Sequence, residues 1–408
     1  MESGDEDIVV GQVTGPLAPY VEGFRAELGR LGYTPLTAAG HVRLMAHLSR
    51  WLVGEGLDAS ELTQARVDAY FAQRRAAGYV NERTSRALRP LLGYLRRLGA
   101  APPYVPPAPV TATELMLARY RNYLAVERGL AETTADLNLR MVRPFLHECA
   151  AKRDGSLALE RLNPGDLAGF VIDQCRRQPR SAKRMVTALR SLLGFLYVDG
   201  SISQPLATAV PSVAGWTLAG LPKALKEGQV AALLASCDPS TPTGRRDLAI
   251  LTLLTRLGLR AGEVAALSLD DIDWRAGELT IHGKGNRRDR LPLPADVGRR
   301  IVDYLRDGRP PTAQDRTVFV GAQAPHRALA SSGVTTVVAA AGRRAGLGPI
   351  RAHRLRHSAA TTMLRAGASL SEIGQALRHR RPLTTAIYAK VDHEALRQLA
   401  RPWPGEAT

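Results

Sequence analysis

Cysteine, lysine, aromatic residues and long apolar runs are all scarce in this 408-residue chain, and each scarcity removes a class of protein. The three cysteines, Cys149, Cys175 and Cys237, stand far apart with no Cys-x-x-Cys spacing. A disulfide framework or a zinc site therefore has little to build on, and a reducing cytoplasm is the expected location. No stretch approaches the roughly 18 apolar residues of a membrane helix. The first residues carry Glu2, Asp5, Glu6 and Asp7, acidic where a secretion signal would be basic. Hydrophobic residues at 45% and charged residues at 23% exclude wholesale disorder and fibrous repeats.

Acidic residues are also in short supply. Asp and Glu number 38 against 55 Lys and Arg, a net charge of +17. Such an excess points to a polyanionic partner, because phosphates release their counterions to a basic surface. Only six of the cations are lysines, Lys152, Lys183, Lys223, Lys226, Lys284 and Lys390. A lysine placed beside chemistry is thus conspicuous.

The apolar pattern divides the chain into three blocks. Residues 1–16 form an acidic terminus expected to be disordered. Residues 17–100 repeat apolar positions at helical steps (Val42, Met45, Leu48 and Leu52; Leu88, Leu91, Leu92 and Leu95), with Thr34-Pro35 and Asp58 as capping or turn signals. The proline-rich stretch 101–110 predicts an extended linker. A second helical block at 111–207 resembles the first in outline, with "ALRPLLGYLRRLG" facing "ALRSLLGFLYVDG". After a linker at 208–221 comes the third block, 222–408. There Gly258 separates two helical segments, and "ELTIH", "GKGN" and "RRDRLPL" predict a hairpin tipped by Lys284. A short strand is expected at Val318 to Val320, with helices beyond it. The fold class expected is mainly α with a small antiparallel β-sheet (α+β), two tandem helical domains preceding a third, mixed domain.

Chemistry concentrates in the third block. Arg260 lies at a break between helices and Glu263 follows three residues later. His353 and Arg356 share a helix face at i and i+3. His379 precedes Pro382, and Tyr388 follows nine residues after His379. Breaking a DNA phosphodiester without metal requires guanidinium forks for the extra negative charge, a side-chain nucleophile, a base and an acid. Arg260, Lys284, His353, Arg356, His379 and Tyr388 supply those types.

These residues resemble the tyrosine recombinases, or phage-type integrases. "GLRAGE" is similar to the family's first arginine motif, with Arg260 as the arginine and Glu263 supporting it. "HRLRH" is similar to its HxLRH motif, giving His353 and Arg356, and "LRHRRPLTTAIYAKV" to the segment carrying the second histidine, His379, and the nucleophile, Tyr388. Lys284 looks like the hairpin lysine used as general acid. One departure is Arg378, where the family usually has glycine; arginine adopts the left-handed backbone there only at a cost, and it could add a phosphate contact.

The resemblance implies a site-specific DNA recombinase that acts through a 3′-phosphotyrosyl link and a Holliday junction, with neither metal nor ATP. It implies double-stranded DNA sites as partner and a homotetramer on two of them, with the helical blocks clamping DNA opposite the catalytic domain. Lys183, Arg184, Arg190 and Arg378 are candidate DNA contacts. The rivals are a type IB topoisomerase, a telomere resolvase, or a non-catalytic DNA-binding protein with the same fold. A metal-dependent relaxase fits poorly, since His353 and His357 lack a third ligand nearby in sequence.

Overall fold

A computed structural model describes residues 13–80, 84–106, 108–152, 155–179, 181–213, 224–283, 287–379 and 382–391. The chain forms two compact units, Met1–Tyr104 together with Gly220–Thr408, and Val105–Ala219.

Among the described residues the first unit contains two large apolar cores and a small third one. Its N-terminal part has helices α1 (Val21–Arg30), α2 (Pro35–Gly54), α3 (Gln64–Ala76) and α4 (Arg89–Arg97). Their ends follow local chemistry. Thr34 caps α2 by accepting from the Thr37 amide, and Pro35 sits in the first turn, where a missing N–H costs nothing. Asp58 caps the short turn that leads to α3. Phe24, Leu28, Met45, Leu48, Leu52, Leu62 and Leu95 close the core with no measurable exposure. Residues 13–16 differ from the expectation of disorder. Val13 packs on this core, and Ser49 Oγ donates to the Thr14 carbonyl at 2.5 Å.

The second unit has helices α5 (Ala112–Asn122), α6 (Glu132–Ala151), α7 (Pro164–Arg177) and α8 (Ala182–Val198) around one core. Asn163 and Asp166 cap the start of α7 reciprocally, as Thr111 and Glu114 do for α5. The segment expected to be linker beyond residue 207 begins inside this core. Leu206 and Val210 are buried, and Arg190 Nη2 donates to the Val210 carbonyl at 2.8 Å. Lys183 and Arg184 lie exposed on α8.

The remainder of the first unit is mixed. Helices α9 (Glu227–Ala235), α10 (Pro242–Arg256) and α11 (Ala261–Ala266) lead into a three-stranded antiparallel sheet, β1 (Ile272–Asp273), β2 (Glu278–Gly283) and β3 (Arg287–Pro292). β2 and β3 pair from Glu278↔Pro292 to Gly283↔Arg287, the expected hairpin. Lys284, at its tip, lies outside the described residues. Helices α12 (Ala295–Asp307), α13 (Ser331–Arg344), α14 (Ala352–Arg365), α15 (Leu370–Ala376) and α16 (Pro382–Thr385) follow, then a 3-10 turn, Ala386–Val391. Helix α10 is apolar nearly all round and is buried accordingly, with Ala249, Ile250, Leu251, Leu253 and Leu254 at zero exposure. Val318 to Val320 is not a strand. It is buried, with isolated bridges at Ser268↔Thr317 and Val320↔Ala328 and backbone bonds from the Val318 amide to the Leu267 carbonyl and from the Leu329 amide to the Phe319 carbonyl.

Gly258 makes the turn between α10 and α11. Its φ is +59°, and a Cβ there would lie 2.5 Å from Leu377 Cδ2 and 3.4 Å from Ala359 Cβ. Both the left-handed backbone and the close approach require glycine. Gly258→Ala should lower stability by about 1–2 kcal/mol from the backbone alone, with the Leu377 clash adding to it. Scanning calorimetry of the full chain should show a lower transition midpoint; an unchanged midpoint would contradict this account of the turn.

Candidate active site

Four segments of the third block meet at one place. The break after α10 supplies Arg260, α14 supplies His353, Arg356 and His357, the turn after α15 supplies Arg378 and His379, and the last 3-10 turn supplies Tyr388.

Arg356 is the buried centre, 2% exposed. Its Nη1 donates to the Gly258 carbonyl at 2.6 Å and its Nη2 to the Leu377 carbonyl. Desolvation, then the charge on Arg260, brings its pKa down to about 10. It therefore remains a cation at neutral pH. Arg260 is more open, its side chain 46% exposed. Glu263, 5% exposed, takes Arg260 Nη1 on Oε1 at 2.6 Å and the Arg260 amide on Oε2 at 2.8 Å. The carboxyl pKa stays low although burial would raise it, because this amide and the charge of Arg378 outweigh desolvation.

Arg378 has a φ of +55°, the left-handed conformation expected at this position. Its guanidinium is not turned outward as a phosphate contact would be. Nη2 donates to Glu263 Oε2 at 2.8 Å, with only 6% of the side chain exposed. Arg260, Glu263, Arg378 and His379 line one open cavity of about 590 Å³, together with His282 and Gly283 at the tip end of β2, just before Lys284 in sequence. Arg260, His353 and Arg356 also line an adjoining hollow. The six catalytic candidates thus divide into three groups. Arg260, His353, Arg356 and His379 gather around these cavities, Tyr388 lies behind them, and Lys284 is outside the described residues.

The histidines share one electrostatic condition. His379 Nδ1 is hydrogen-bonded to Thr385 Oγ1 at 2.7 Å, and burial plus the charges on Arg356 and Arg260 push its pKa down to about 4. His353 is lowered by partial desolvation and the same two arginines. His357 is pushed down to about 4 by desolvation and the charges of His353 and Arg356. All three imidazoles are neutral near pH 7, as bases must be.

Tyr388 is 2% exposed, in a small core with Ala360, Ile373 and Leu377. Its Oη shares a hydrogen bond with His357 Nδ1 at 3.0 Å. His357 in turn stacks edge-on against His353, with ring centroids 4.4 Å apart. Sequence reasoning weighed His357 only as a metal ligand. Its i, i+4 spacing from His353 was the available sign that both face the same side of α14. Thr385 likewise went unnoticed within "LTTAIY". Burial raises the phenol pKa, opposed by the charge on Arg356.

The depressed imidazoles make stability depend on pH. The unfolded chain binds a proton at each histidine near the ordinary value of about 6.5, while folded His357 and His379 decline one until about pH 4. Stability is therefore fully present above pH 6.5 and is lost as pH falls toward 4. The melting midpoint should drop across that window, and His357→Asn should flatten the slope. An equal slope in the variant would show that His357 is not held neutral.

Comparison with known proteins identifies the family of the chain. Residues 223–395 match the phage integrase family and residues 117–200 match the phage integrase N-terminal SAM-like domain. A putative integrase/recombinase of Sinorhizobium fredii is 41% identical over 399 residues, 96% of each chain. Tyrosine recombinase XerD of Listeria monocytogenes is 32% identical over 286 residues, 68% of this chain and 94% of that one. In fold, the XerH site-specific recombinase bound to palindromic difH in a post-cleavage complex superposes with a TM-score of 0.55 at 21% identity, covering 69% of this chain and 83% of that one. A lambda integrase tetramer bound to a Holliday junction gives 0.53 at 15% identity, covering 81% and 90%. Motifs, site and relatives concur: the chain belongs to the phage integrase family of tyrosine recombinases, which carry out site-specific recombination.

Proposed function

We propose that this recombinase cuts and rejoins DNA through Tyr388, with no metal or nucleotide in the reaction. The Tyr388 oxygen attacks the scissile phosphorus, forming a 3′-phosphotyrosyl ester as the bond to the 5′ oxygen breaks. The phenol proton passes to an imidazole; nearness to both arginines supports His353 for this once Tyr388 has left His357. The departing 5′ oxygen takes a proton from Lys284. A 5′-hydroxyl from a partner strand then attacks the tyrosyl ester and restores a phosphodiester, so every bond broken is replaced. Two such rounds exchange both strands through a Holliday junction.

The observation that carries this reading is the meeting of Arg260 and Arg356 at one turn, the first reaching the Arg378 carbonyl and the second the Leu377 carbonyl. Two guanidiniums set in advance, beside neutral imidazoles, fit a phosphorane whose charge grows during attack. As folded here Tyr388 is covered, so attack requires the segment 382–391 to move out from under α14. A homotetramer on two duplex sites, as in the lambda integrase assembly, would give that segment a second active site to reach. Lys183, Arg184 and the basic helical blocks would then hold the phosphate backbone, at salt-dependent affinity, and the protein would act in the cytoplasm, where its DNA sites are.

Tyr388→Phe should bind duplex DNA as the unaltered protein does and leave no covalent adduct on a denaturing gel. An adduct in that variant would assign the nucleophile elsewhere. Lys284→Ala should cleave more slowly by on the order of 100-fold or more. A substrate with sulfur at the 5′-bridging position, whose thiolate leaves without a proton, should restore cleavage; no rescue would remove Lys284 from the acid role.

A further inference from the structure

The turn Leu377–Arg378–His379 contains an arginine that strand transfer as described above does not use. A non-glycine residue held at φ +55° carries a conformational cost, and such costs persist where the surroundings enforce them. Here the enforcement is visible. The Arg378 carbonyl lies 3.4 Å from Arg260 Nη2, its guanidinium is sealed against Glu263, and its Nη1 donates to the Ala376 carbonyl at 3.2 Å.

Glu263 explains why this matters. An arginine facing a free carboxylate tends to pair through two parallel bonds, which would take up both of its outer nitrogens. Arg260 does not. Glu263 Oε2 is already occupied by the Arg260 amide and by Arg378 Nη2, each at 2.8 Å. Only Oε1 is left, and Arg260 meets it through Nη1 alone. Among the described residues the other nitrogen, Nη2, makes the long 3.4 Å contact to the Arg378 carbonyl, and the Arg260 side chain lines the 590 Å³ cavity.

We infer that Arg378 is a positioning residue: by occupying Glu263 Oε2 it prevents Glu263 from taking Arg260 as a two-point pair, and so keeps one edge of the Arg260 fork free for the scissile phosphate. The inference rests on the strand-transfer reading given above. Arg378 acts on the phosphate only through Arg260, and Glu263 serves as the hinge between them. Without Arg378, the buried carboxylate would draw Arg260 inward and away from the reacting oxygen.

The test uses the full-length protein and a pool of randomised duplexes nicked on one strand. DNA that becomes covalently attached is recovered, and one recovered duplex serves as the substrate for timed adduct formation. Arg378→Gly suits the backbone, so its fold should persist, and a thermal melt checks it. This variant should bind the duplex as before yet form adduct more slowly, on the order of 10-fold to 100-fold, the scale of a misplaced catalytic group. Arg378→Lys, which can still hold Oε2, should recover much of that loss. In an Arg260→Lys background, where there is no fork to keep open, adding Arg378→Gly should cause no further slowing.

Adduct formation by Arg378→Gly at the unaltered rate would overturn the inference. So would equal slowing by Arg378→Gly in the Arg260→Lys background, since Arg378 would then act on the phosphate independently. No adduct with the unaltered protein would overturn the strand-transfer reading itself, and this inference with it.

Discussion

The catalytic part is organised around one buried cation. Arg356 joins α14 to the Gly258 turn and to the turn after α15 through two backbone carbonyls. Among the described residues no carboxylate forms an ion pair with it. Removing a guanidinium from water is expensive, and carbonyl dipoles offset only part of that cost. The fall of its pKa to about 10 expresses the remainder. A protein selected for stability alone would fill this position with an apolar side chain. The charge makes sense as a cost carried in advance, so that little reorganisation is needed when phosphate arrives.

Burial and the same cations together set the state of the site histidines. Desolvation first, then the charges on Arg356 and Arg260, biases His353 and His379 toward neutrality. A bound phosphodiester reverses that bias. Its negative charge, growing as the phosphorane forms, raises the proton affinity of the imidazoles when one of them must accept the Tyr388 proton. Acid–base readiness is in this way tied to occupancy of the site, with no separate switch.

How legible was this from sequence? The chemistry-bearing residues were, because arginine, histidine and tyrosine at these spacings have few other uses together. The hairpin and the Gly258 break were legible too, since turn residues act locally. What escaped depends on long-range packing. The partnership of His357 with Tyr388 spans 31 residues and exists only because the last turn folds beneath α14. The inward aim of Arg378 depends on Glu263, 115 residues earlier. Val318 to Val320 has the composition of a strand, yet its neighbours offer only single bridges, and residue type alone cannot reveal a missing partner. The N-terminal block reads as an additional helical domain for DNA binding or assembly, and its Gly32 lies so close to the third block that a Cβ there would fall 2.5 Å from Thr312 Oγ1 and 2.8 Å from the His326 ring. Glycine in a turn after α1 gave no hint of that contact.

The proposed nucleophile presents the opposite design to Arg356. Tyr388 is kept protonated, since burial raises its pKa and a neutral imidazole shares a hydrogen bond with its oxygen. A phenol in this state is a poor nucleophile toward water-borne esters, and its 2% exposure denies them access. The pocket is thus charged before the substrate comes, while the attacking group is withheld. Releasing Tyr388 costs one hydrogen bond and the contacts with Ala360, Ile373 and Leu377, a small cluster compared with the cores on either side of it. Strand cutting with a covalent intermediate is hazardous to a chromosome if it happens at random. On the proposed reading, holding the phenol buried and requiring a phosphate between two arginines to draw it out would restrict the reaction to DNA that is already fully seated.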